Sequence, residues 1–191
     1  MMRRDECLGL LAGRLPADQI VVAAYTAAFD WIALRPSPLN YISSGAMGLT
    51  SSHALGFAIG MPDRRIVLLD GDGSLLMNLG ALVTIADAAP ANLVHFLCRN
   101  GTYEANGSHP IPGRGRVDFA GMARAAGYPR CYRFTELATF GTVIDSLLQE
   151  QGPIFADLAL EPGEKYPRDY GVMHGAQIRR DFAAALKGGA A

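Results

Sequence analysis

Short runs of consecutive aliphatic and β-branched residues alternate along this chain with longer stretches rich in Ala and Leu. The runs cover 19–24, 65–69, 93–98 and 153–160, with a further possible strand at 131–134. The four longer runs are apolar nearly throughout rather than at every second position, so both faces of each strand are buried. Strands of that kind belong to a parallel sheet covered by helices on both sides. The stretches between them carry helical spacing and predict helices over 26–34, 48–59, 74–88, 118–126 and 137–149, with a terminal helix over 177–186. Pro36, Pro38 and Asn40 break the chain, and a segment rich in Gly, Pro and Asn runs as a loop from 100 to 116. The expected fold is α/β, a three-layer α/β/α arrangement around a mostly parallel central sheet. With no internal repeat and no low-complexity linker, residues 1–191 are expected to form a single domain.

Composition narrows the function more than the fold. Lys and Arg number 17 against 18 Asp and Glu, a net charge of -1. No basic surplus exists to neutralise a phosphate backbone, which excludes a general nucleic-acid binder. No stretch approaches the roughly 18 apolar residues of a membrane span. The first residues, Met-Met-Arg-Arg-Asp-Glu-Cys, lack the apolar run of a signal peptide. Cys7, Cys98 and Cys131 are far apart and odd in number, with no CxxC pair, so neither a disulfide framework nor a zinc site is expected. A soluble cytoplasmic protein with reduced thiols is the expectation.

In open parallel sheets, ligands bind beyond the carboxyl ends of the strands. That rule singles out Asp70-Gly71-Asp72-Gly73 after the second run and Asn100 after the third. One carboxylate and one amide oxygen form a poor cage for calcium but a suitable partial shell for magnesium, which completes its octahedron with phosphate oxygens and water. Gly71 and Gly73 let the backbone approach a phosphate closely. Ser74 is expected to open the following helix, whose free N–H groups favour an anion.

These residues resemble the metal- and diphosphate-binding signature of the thiamine-diphosphate-dependent enzymes: Gly71-Asp72-Gly73, then Asn100 beyond the next helix and strand. The resemblance implies a magnesium site made by Asp72, Asn100 and the backbone carbonyl of Thr102. Arg99 stands where the family usually has a first Asn. Ser44-Gly45-Ala46-Met47-Gly48-Leu49-Thr50-Ser51-Ser52 resembles the Gly-Ser-Met-Gly-x-x-Ser-Ser segment of phosphonopyruvate and sulfopyruvate decarboxylases. It implies that backbone at Gly45 meets the cofactor's amino group and that Met47 wedges the cofactor into its bent form. Asn100-Gly101-Thr102-Tyr103 followed by Gly107-Ser108-His109-Pro110 resembles the Asn-x-x-Tyr … Gly-x-Gln-Pro loop of the same enzymes, with His109 in place of Gln. Tyr103 would then join the cofactor site, and His109 would relay protons or hold the substrate carboxylate.

Full-length members of this family carry two similar domains, and this chain has length for the diphosphate-binding one. The resemblance therefore implies the beta subunit of a decarboxylase acting on a small 2-oxo acid. A pyrimidine-binding alpha subunit would complete the site within an oligomer. A cofactor-binding module without catalysis, or a fragment of an acetolactate-synthase-like carboligase, remain as alternatives. Thr26, after the first strand, is a further candidate for a phosphate oxygen, and Arg114 and Arg116 for an anionic substrate tail. His53 is a weaker candidate for a place near the site, Glu104 for a catalytic role only where a partner's geometry allows it, and His174 for a cap or lid, while His95 reads as structural.

Overall fold

The structure, a computed structural model, describes residues 1–43, 47–163 and 170–188. Ser44, Gly45 and Ala46 of the wedge segment, the stretch 164–169 and the side chain of His174 lie outside the described residues. In chain order the elements are α1 (Arg4–Ala12), β1 (Ile20–Ala24), α2 (Tyr25–Leu34), β2 (Asn40–Ser43), α3 (Thr50–Gly60) and β3 (Ile66–Gly71). There follow α4 (Asp72–Leu76), α5 (Gly80–Ala88), β4 (Leu93–Arg99), β5 (Thr102–Tyr103), a 3-10 turn (Glu104–Asn106) and β6 (His109–Pro110). The chain continues through α6 (Phe119–Ala126), β7 (Arg130–Phe134), α7 (Leu137–Leu147), β8 (Ile154–Ala159), α8 (Tyr170–His174) and α9 (Ala176–Gly188).

Six strands form one sheet in the order β2-β1-β3-β4-β8-β7, and every pairing in it is parallel. Successive residues of each strand feed opposite layers, as the two-residue period of a strand requires. Val21, Val67, Val94, Phe96 and Ile154 pack with α1, α2 and α7, around Leu8, Trp31 and Phe140. Ile20, Leu68, Leu93, Leu97 and Phe155 pack with α3, α5, α6 and α9, around Leu55, Ile85, Phe119 and Phe182. The central strands are buried at nearly every position, which is why they read as uninterrupted apolar runs.

Three differences from the sequence expectation have definite physical causes. The stretch 74–88 is two helices, α4 and α5, separated by a turn through Met77, Asn78 and Leu79. That turn brings the Asn78 amide to donate to the Gly48 carbonyl at 2.8 Å, a tie that a continuous helix would not make. Strand β2, between the prolines and the wedge segment, was not expected. Its first residue is a buried polar one: Asn40 accepts from the Trp31 indole N–H (3.0 Å) and donates to the Arg35 carbonyl (2.8 Å). Helix α1 was not expected either, and it buries the charged Arg4 beside Cys7, Leu8 and Leu11. Within the loop 100–116, β5 and β6 pair as a small antiparallel hairpin.

Phe155 lies at the centre of the second layer, fully buried, with its ring edge-on to His95 at 4.9 Å and to Tyr128 at 5.8 Å. Phe155→Ala should cost about 3–5 kcal/mol, read as a lower urea midpoint with an unchanged slope.

Candidate cofactor and metal site

Strand order fixes where a ligand can enter. From β1 the chain turns to β2 on one side, and β3 then pairs with the other edge of β1. Helices α2 and α3 consequently cover opposite faces of the sheet. A crevice opens at the carboxyl ends of β1 and β3, the usual ligand position in such sheets. The cleft found there, ≈ 480 Å³ including its open mouth, draws its walls from three strand ends: 24–26 after β1, 71–74 after β3, and 100–104 after β4.

Asp72 is the first residue of α4, so the helix begins two positions earlier than the expected start at Ser74. Its side chain is 1% exposed. One carboxylate oxygen accepts from its neighbour's N–H at Gly73 (2.8 Å), the other from the Gly101 N–H (2.7 Å). This second bond ties the end of β3 to the end of β4. Asn100, half-buried, turns its side-chain oxygen onto the Thr102 N–H at 2.9 Å, which folds the Asn100–Gly101–Thr102 turn on itself. Gly73 has a steric reason to be glycine: a Cβ there would fall inside contact distance of the Tyr103 ring. Ser74 accepts from the Gly48 N–H at 3.0 Å, and Gly48 stands at φ +86°, in the region that favours glycine. Ser74 and Asn78 thus clamp Gly48 from both sides and hold the neighbouring Met47 at the cleft wall.

Burial pushes the Asp72 carboxyl up to about 6, despite the opposing pull of the Gly101 and Gly73 N–H groups and the Arg99 charge. A buried carboxylate short of positive charge is suited to a cation. The side-chain oxygens that line the cleft here are the Asp72 carboxylate, the Asn100 amide and the hydroxyls of Ser74 and Thr102. Among the described residues no group of three or more His, Cys, Asp or Glu side chains converges to hold a metal. Such hard oxygen donors fit magnesium and not zinc.

The cleft brings together Met47, Gly71, Asp72, Gly73, Ser74, Asn100, Thr102 and Tyr103, and with them Thr26. His109 is elsewhere: it sits exposed on β6, outside the cleft lining. Arg114 is exposed and lies over Gly101, Arg116 is exposed, and His53 packs edge-on to Tyr41 at 5.5 Å. His95 is fully buried in β4, as expected. Arg4 and Tyr25 line the cleft without having been singled out in the sequence. Tyr25 stands at φ +45°, which strains a bulky side chain, and its phenol receives a backbone hydrogen bond from Met47.

Comparison with known proteins identifies the family. Residues 22–158 match the family model described as "Thiamine pyrophosphate enzyme, C-terminal TPP binding domain". The chain belongs to this family. It is 34% identical to the sulfopyruvate decarboxylase subunit beta of Methanothermobacter thermautotrophicus, over 85% of this chain and 84% of that one. A phosphonopyruvate decarboxylase of Streptomyces viridochromogenes is 32% identical over 95% of this chain, which spans only 45% of that protein. In fold, the chain matches the X-ray structure of a putative thiamin diphosphate-dependent enzyme from Mycobacterium smegmatis with a TM-score of 0.72. That match is 23% identical and covers 85% of this chain and 32% of the other. These named relatives are decarboxylases of this family or share its fold, and the chain resembles a subunit of one. Among the described residues no helix is long and apolar enough to cross a membrane.

Because the folded-state value of Asp72 lies above the ordinary 3.8, its protonated form favours the folded, ligand-free chain. That contribution is full below about pH 4 and is lost as pH rises through about 6. Urea denaturation of ligand-free wild type and Asp72→Asn should therefore show a gap favouring the variant. It should open between pH 4 and 7 and reach on the order of 1–3 kcal/mol. A gap that does not change with pH would contradict the electrostatic account of this site.

Proposed function

We propose that this chain is the diphosphate- and magnesium-binding subunit of a thiamine-diphosphate-dependent decarboxylase. Its substrate is a short 2-oxo acid with an anionic tail, sulfopyruvate or phosphonopyruvate. The whole of 1–191 serves as one diphosphate-binding domain, and a pyrimidine-binding partner chain closes the other side of the cleft within a cytoplasmic oligomer. The observation that carries this reading is the match across 84% of a relative that is itself named a subunit beta. The three free thiols, two of them buried, agree with a reducing compartment.

In this reading Asp72, Asn100 and the Thr102 carbonyl hold magnesium. Gly71, Gly73, Ser74 and Tyr103 form the bed for the diphosphate, with the Thr26 hydroxyl beside them. Backbone at Gly45 meets the aminopyrimidine, and Met47, held through the clamp on Gly48, supports the bent cofactor. Bound there, thiamine diphosphate supplies the electron sink for the electron pair released with carbon dioxide. The chain's own residues bind, orient and partly desolvate the reacting centre; the low-polarity wall of Met47, Ala24 and Ala27 excludes water from it. His109, on the hairpin outside the cleft lining, takes in this reading the substrate-facing role and not a cofactor-binding one.

The test is carbon dioxide release from sulfopyruvate and phosphonopyruvate by the chain mixed with a pyrimidine-binding partner. Activity is expected only with both chains present. His109→Ala should lower kcat/KM at least tenfold while leaving thiamine diphosphate affinity within twofold. No turnover of either acid by an assembled, cofactor-loaded pair would overturn the substrate assignment.

A further inference from the structure

Four segments far apart in sequence meet in a knot of charge at the wall of the cleft. Arg4, at the start of α1, is only 8% exposed. Its Nη1 donates to Glu104 Oε2 at 2.8 Å, and its Nε pairs with Asp30 of α2. The Glu104 side chain, 4% exposed, accepts with its other oxygen from the Gly163 N–H at 2.7 Å. Gly163 packs directly on the guanidinium: a Cβ there would collide with it. Arg4 and Glu104 both line the cleft that holds Asp72 and Asn100.

Arg4 is itself held firmly. The Met2 N–H donates to the Ala159 carbonyl at 2.8 Å, and the Glu161 N–H to the Met2 carbonyl at 2.9 Å, so residues just before α1 are bonded onto the end of β8. Glu104 follows Thr102 by two residues. The segment Asn100–Glu104 is therefore tied at its front, through Asp72 to Gly101 and Asn100 to Thr102, and at its back, through Glu104 to Arg4. Removing the guanidinium would take from Glu104 and Asp30 the buried cation they share and loosen the anchoring of Glu104 at the cleft wall. Thr102 lies only two residues before Glu104 in the same short segment, so a shift of that backbone would carry the Thr102 carbonyl with it.

We propose that Arg4 is a positioning residue for the metal-holding segment: through Glu104 it sets the place of the Thr102 carbonyl. The inference rests on the reading of this cleft as a magnesium and thiamine diphosphate site. Its consequence is that metal affinity depends on a residue almost a hundred positions away, near the start of the chain.

The experiment uses the full chain assembled with its partner and follows Mn²⁺ binding by electron paramagnetic resonance in the presence of thiamine diphosphate, alongside ligand-free melting. Arg4→Met should weaken Mn²⁺ binding at least tenfold, and Arg4→Lys, which keeps the charge, should lose less than threefold. Glu104→Gln, which keeps the shape, should lose at least threefold, and it decides the matter if Arg4→Met does not fold. A merely structural role would lower the melting temperature of the variants and leave Mn²⁺ affinity within twofold of wild type; that result overturns the inference while the cofactor reading stands. Failure of the wild type to bind Mn²⁺ would overturn both.

Discussion

The buried carboxylate of Asp72 is the constraint around which the cleft is arranged. It sits at the end of a central strand, almost without solvent, and its two oxygens take backbone N–H groups from two different strand ends. Those bonds align the turns after β3 and β4, but they do not supply a full counter-charge, so burial still raises the carboxyl toward neutrality. A site that keeps such a group holds it at some expense of stability, the usual signature of a functional position. Asp72 lies within residues 22–158, the region matched by the thiamine-pyrophosphate-binding family model.

The rest of the fold serves to bring three strand ends into register around that group. Because β1 has β2 on one side and β3 on the other, the helices after them cover opposite layers and the crevice between them stays open. Parallel pairing of β3 with β4 sets Gly71 beside Cys98, so the segments that follow, Asp72 and Asn100, start level with one another. On the β2 side the Gly48 clamp joins the wedge segment to α4, and on the β8 side the knot of Arg4, Glu104 and Gly163 closes the wall. Each wall thus borrows rigidity from a different part of the sheet. Preorganisation of that kind is what the proposed metal and diphosphate site demands.

Much of this was legible in the sequence, for physical reasons that also explain the omissions. The buried strands announced themselves as apolar runs, and the rule of strand carboxyl ends then pointed to Gly71, Asp72, Gly73 and Asn100 before any coordinates. Strand β2 escaped because it opens with a buried Asn that bonds Trp31 and Arg35, a partnership that local patterning does not display. Helix α1 escaped because its buried face includes an arginine whose partners lie at positions 30 and 104. The break between α4 and α5 depends on the distant Gly48 carbonyl, so the stretch looked like one helix. For the same reason Arg4 could not be read as a site residue, since nothing near it in sequence carries the signal; Tyr25 was passed over although its neighbour Thr26 was a candidate. His109 was singled out by its motif, and the structure sets it on the hairpin outside the cleft lining.

The central claim is that this chain holds magnesium and thiamine diphosphate through Asp72. Titration calorimetry of thiamine diphosphate, with and without Mg²⁺, on the chain paired with its pyrimidine-binding partner tests it most directly. The account predicts binding that requires the metal and is lost in Asp72→Ala, with that variant still folded. Binding that survives in the variant, or a folded wild-type pair that shows none, would contradict it.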